Sequence, residues 1–208
     1  MTDPNNDTAD IAWLRSLAEE GSNTPPQGGS ILFAAGLIWG TASVAHWFII
    51  SGLLPVDPAG YGLIWGVALL VFFASLFVLT RRLKAQGGVE TAANRAFGSV
   101  WSALGWGIFS LFTALMLLDV SRTGEVNMAE WSLAIPSIII AFYGMGWAVS
   151  ATMLRQRLLW VLATGSFIAA PVLALLSGST AQYLAYAAAL YLLMALPGFL
   201  LMRAAKRG

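Results

Sequence analysis

Residues 31–54, 61–80, 97–118, 131–154, 158–176 and 181–202 form six stretches without a single Asp, Glu, Lys or Arg. A helix of roughly 20 mostly apolar residues crosses a bilayer core, so each stretch is long enough to span. A soluble domain carries charge on roughly a quarter of its positions; this chain of 208 residues carries it on 10%. Alternation at period two is absent, which argues against a membrane β-barrel. The expected fold is therefore all-α, a polytopic integral membrane protein with a six-helix bundle over 31–208 and a separate N-terminal segment over 1–30. The breaks between stretches carry turn chemistry: Pro55 and Pro58, Gly87 and Gly88, Gly124, Gly178.

Orientation follows from the basic residues, which are retained on the cytoplasmic side. Arg81, Arg82, Lys84 and Arg95 lie between the second and third stretches, Arg155 and Arg157 between the fourth and fifth, and Arg203, Lys206 and Arg207 in the tail. With Arg15 they share one side; Arg122 stands alone on the other, beside Asp119, Glu125 and Glu130. Both termini are thus expected in the cytoplasm, and the membrane expected is the plasma (inner) membrane. Tyr61, Trp131, Tyr183 and Tyr186 at the outer ends, with Trp101 and Trp160 at the inner ends, suit an interfacial aromatic belt. The first thirty residues lack a basic n-region leading into a short apolar run, so the first span is expected to act as its own insertion signal.

The N-terminal segment predicts a short amphipathic helix over about 8–20, closed by Gly21 ahead of Pro25 and Pro26. At 100° per residue, Ile11, Trp13, Leu14, Leu17 and Ala18 share one face. Five carboxylates (Asp3, Asp7, Asp10, Glu19, Glu20) oppose Arg15, an acidic balance that disfavours adsorption to an anionic leaflet. Trp13, Leu14 and Leu17 are therefore candidates for docking a cytoplasmic protein, or for folding back onto the bundle.

Inside the spans the sole ionisable group is His46, which shares a helix face with Ser43 and Trp39. These three are the candidates for a ligand contact or a gate; a histidine simply satisfied by a neighbouring helix is the alternative. Gly36-Leu-Ile-Trp-Gly40 and Gly62-Leu-Ile-Trp-Gly66 are identical GxxxG motifs, read as helix-packing faces that also admit self-association of the chain. Gly98 with Trp101 and Gly144 with Trp147 repeat the Gly-x-x-Trp part, which suits either a shared packing solution or a three-plus-three duplication. Pro136, Pro171 and Pro197 fall within the last three spans, where each removes a backbone donor and frees a carbonyl. That made the second half the expected place for a cavity or moving element. Arg81, Arg82 and Lys84 suit anionic headgroups.

Composition narrows function by exclusion. A net charge of +1 gives no footprint for nucleic acid. Zero cysteines remove disulfides and thiolate metal sites. One histidine does not supply a bis-histidine haem, and no span holds a lysine for retinal or paired carboxylates for an aspartyl protease. No metal or cofactor is expected, and no catalytic residue is nominated. The expectation is a non-enzymatic regulatory or assembly protein of the membrane that presents its N-terminal helix to a partner. The alternative is a small carrier or channel for an uncharged or lipophilic solute.

Overall fold

A computed structural model describes residues 28–55, 59–85, 92–126 and 129–205. The helix expected over 8–20, with Trp13, Leu14 and Leu17, lies outside the described residues, as do Pro58, Lys206 and Arg207. Among the described residues every regular element is helical: α1 (Gly29–Ile50), α2 (Ala59–Ala85), α3 (Ala92–Thr123), the single turn α4 (Ala129–Ser132), α5 (Ile135–Leu154), α6 (Arg157–Leu175), α7 (Ala181–Leu190) and α8 (Leu196–Ala205). A π-helical segment, Tyr191–Ala195, joins α7 to α8, so the last span is one interrupted rod. Six helices are long and apolar enough to cross a membrane.

Element ends differ from the uncharged stretches for identifiable reasons. α1 stops at Ile50, where Ser51 and Gly52 (φ 73°) turn the chain. The fourth span starts at Ile135 instead of 131, because Pro136 has no amide for the Ser132 carbonyl and begins a new helix. α2 and α3 instead run past their apolar stretches, through Arg81, Arg82 and Lys84 in one and Asp119 and Arg122 in the other.

The bundle divides into two groups that ignore chain order. α1 packs along the whole last span and against α2, whereas α5 forms a tight hairpin with α6 and also carries α3. The first, second and last spans thus make one group, and the third, fourth and fifth the other. A three-plus-three division along the chain is not what these contacts make. α2 packs on α1 and α3 on α5; neither finds a second helix of comparable contact, and the two do not pack on each other. Only 6% of the apolar window of each is buried, against 33–44% in the other four spans.

Glycines set the closest approach. A Cβ on Gly36 would strike the backbone of Ala195, whose Cα lies 2.8 Å away, and one on Gly40 would meet the Tyr191 ring at 2.5 Å. Gly29 faces the Gly198 carbonyl at 2.8 Å in the same way. Small-residue faces let helix backbones touch where no hydrophobic force is available to drive association. Gly62 and Gly66 differ from the sequence expectation: a Cβ on either would meet nothing within 4 Å. An identical pentapeptide therefore packs in α1 and lies open in α2, because α2 meets its neighbour through rings instead of glycines.

Between the two groups, side chains carry the contact. Ile140, Tyr143 and Trp147 of α5, Leu173 of α6, and Tyr186, Leu190 and Met194 of the last span form one buried cluster. Tyr183 and Tyr186 are buried with it, so these two tyrosines face the protein and not the lipid interface. Two prolines supply the polar links. Pro197 cannot donate to the carbonyl four residues back, that of Leu193, and the Trp147 indole donates to that oxygen at 3.0 Å. Pro136 likewise leaves the Ser132 carbonyl without its helical donor, and the Tyr183 hydroxyl donates to it at 3.2 Å. The Gln182 amide adds bonds to the carbonyls of Leu133 at 2.7 Å and Leu173 at 3.3 Å. Pro171 sits exposed on α6. Two of the three prolines thus build contacts between the groups, where the sequence suggested a cavity.

Candidate functional site

His46 lies on α1 one turn before its end, and the three rings around it come from two other spans. The Trp65 indole of α2 donates to His46 Nδ1 at 3.0 Å. An indole nitrogen only donates, so Nδ1 is the unprotonated nitrogen and the imidazole proton sits on Nε2. Tyr183 of α7 stacks on the imidazole with centroids 3.8 Å apart and planes 18° from parallel. Tyr61, one turn before Trp65, closes a third side at 4.6 Å. His46 is 9% exposed at the centre of this arrangement. Through Tyr183 the cluster continues to the Ser132 carbonyl, so one imidazole joins α1, α2, α7 and the α4–α5 break.

Of the three residues nominated from sequence, Trp39 joins the cluster at one remove, stacked on Trp65 with centroids 6.0 Å apart and planes 23° from parallel. Ser43 does not join: it is fully buried and its hydroxyl donates to the Trp39 carbonyl of its own helix at 2.9 Å. Sequence reasoning missed Tyr61, Trp65 and Tyr183 as partners, having read two of them as belt residues. The signal was present, since Tyr61 and Trp65 are four apart and present one ringed face of α2.

The four Gly-x-x-Trp motifs pair in space. Trp39 stacks on Trp65 between α1 and α2, and Trp101 meets Trp147 edge-on at 4.8 Å between α3 and α5. In each pair one glycine is covered, Gly36 by Ala195 and Gly144 by the Phe167 ring at 2.8 Å, while Gly62 and Gly98 are open. The motif therefore marks how each peripheral span is held: by tryptophan on tryptophan, with the glycine of the inner span turned to the body. One indole N–H of each pair then donates elsewhere, that of Trp65 to His46 and that of Trp147 to the Leu193 carbonyl.

At the same end as His46, the Asp119 carboxylate in the last turns of α3 is 8% exposed and accepts from the Trp131 indole at 2.8 Å. Trp131 precedes the break that Tyr183 and Gln182 cap, so α3 is tied at that end to the start of the fourth span. No three of His, Asp or Glu gather in a metal-binding group among the described residues.

What fold and site define together is a class: the described residues make an all-helical bundle with six helices long and apolar enough to cross a membrane, in which rings and glycines hold a four-span body and two peripheral spans. Comparison with protein-family models, with curated proteins and with solved structures gives no match for this chain.

Proposed function

We propose that this protein is a non-enzymatic assembly or regulatory protein of the plasma (inner) membrane, with both termini in the cytoplasm. The observation that carries the reading is the bareness of α2 and α3: two consecutive long spans, each fastened to one neighbour, leave long apolar faces inside the membrane. A helix partner has two such faces to join, and the acidic segment with Trp13, Leu14 and Leu17 is a third contact on the cytoplasmic side. The clustering of Arg81, Arg82, Lys84, Arg95, Arg155, Arg157 and Arg203 supports that orientation, since Lys and Arg are retained inside.

Within this reading His46 is a fastener for α2 and not a catalyst. The test pairs Leu14→Glu with Leu17→Glu in the full-length chain. Two carboxylates buried unpaired in a contact face cost several kcal/mol, on the order of the affinity of a micromolar complex. Co-purification of the membrane partner should be lost while the bundle stays folded and inserted. A carrier or channel for an uncharged solute predicts the opposite pattern: flux unchanged by the pair and altered by His46→Leu. That pattern would replace the assembly reading.

A further inference from the structure

Between α1 and α2 a cleft of about 340 Å³ opens sideways, lined by Ala34 of α1 and by Ala74, Ser75, Val78 and Leu79 of α2. Its origin is the way these helices meet. Trp39 against Phe72 (5.6 Å), Trp39 against Trp65, and His46 against Trp65 and Tyr61 hold α1 and α2 together through large rings over one half of their length. Beyond Phe72 three of the five residues that line the gap, Ala34, Ala74 and Ser75, are small and do not fill the spacing that the rings set.

The cleft runs towards a charge. At 100° per residue the lining positions of α2 form one stripe, and Arg82 falls near the middle of that stripe, one turn past Val78. Lys84 projects from the opposite side of the helix, and Arg81 is turned onto the Phe77 ring, its guanidinium carbon 4.2 Å from the centroid. Arg82 is exposed and follows Val78 by one turn on the same face of α2 that lines this shallow, laterally open groove.

We propose that this cleft binds one acyl chain of an anionic phospholipid, with its phosphate held by Arg82. Acyl chains gain nothing by leaving lipid for an equally apolar wall, so the slot supplies position and the guanidinium supplies selectivity. Arg suits this because its planar fork matches phosphate oxygens in pairs. The bound lipid would fill the half of the α1–α2 seam that the rings leave empty.

The full-length protein in detergent, titrated with phosphatidylglycerol or phosphatidylcholine and read by native mass spectrometry, tests this. One retained phosphatidylglycerol is expected, preferred roughly fivefold over phosphatidylcholine, the ratio for about 1 kcal/mol from one basic residue at a headgroup. Arg82→Gln should remove the preference and Lys84→Gln should keep it. Ser75→Leu, which fills the slot from a half-buried position, should reduce retention of both lipids, and Arg82→Gln keeps the test valid if that variant does not fold. Millimolar inorganic phosphate should fail to displace the lipid. Equal losses in Arg82→Gln and Lys84→Gln would mean diffuse surface charge, and displacement by phosphate would mean a headgroup site without an acyl slot; either overturns the proposal.

Discussion

Adding one methyl group to each of two glycines in the same pentapeptide separates contact from propensity. Gly36→Ala places a Cβ against the Ala195 backbone, 2.8 Å from its Cα and Cβ, whereas Gly62→Ala places one in open space. Carbon atoms rest about 3.5–4.0 Å apart, so α1 must back away from the last span by roughly 1 Å. The neighbouring contacts at Gly29 and Gly40 loosen with it, and a gap of 0.5–1 Å forfeits about a quarter to a half of each dispersion well. Overpacking of this kind costs about 1–3 kcal/mol. Both changes gain the same helix propensity, about 1 kcal/mol, so the difference between them isolates the steric part. Gly36→Ala should be less stable than Gly62→Ala by about 1–3 kcal/mol, measured by reversible unfolding in mixed detergent with tryptophan fluorescence. Equal stabilities would refute the account of how the first and last spans meet.

The Trp147 bond gives a cycle: Trp147→Phe removes the indole that donates to the half-buried Leu193 carbonyl and should cost about 1 kcal/mol, but less in a Pro197→Ala background, where residue 197 regains an amide hydrogen; equal costs in both backgrounds would break the link between proline and indole. At the His46 cluster, Trp65→Phe should weaken the hold on α2 and raise amide hydrogen exchange in that helix. Because His46 Nδ1 is the acceptor of the same bond, His46→Leu removes it from the other side and should raise exchange in α2 to a similar degree; exchange unchanged in both variants would refute the fastening role of the imidazole.

The spans were legible because exclusion of charge from hydrocarbon is a strong, local constraint that each stretch meets on its own. What was not legible is which faces meet. Gly36 and Gly62 sit in identical pentapeptides, and the difference between them lies in Ala195 and Tyr191, far along the chain. The prolines were read correctly as sources of free carbonyls, but local sequence does not say who takes them; Trp147 and Tyr183 do so from other spans. His46 stood out as the lone ionisable group, yet its nearest sequence companion, Ser43, turned to its own backbone while Trp65 and Tyr183 became its partners.

The pairing of first span with last has a consequence for biosynthesis. Thr41 and Tyr191, which meet across this seam at 3.3 Å, are separated by 150 positions. At roughly 5–20 residues per second, a ribosome needs on the order of 8 to 30 seconds to make the segment between them. For that interval α1 stays in the membrane with its glycine face uncovered and only α2 beside it. A nascent chain arrested before the last span should therefore be captured by whatever membrane chaperone binds exposed small-residue faces, and released when Ala195 emerges.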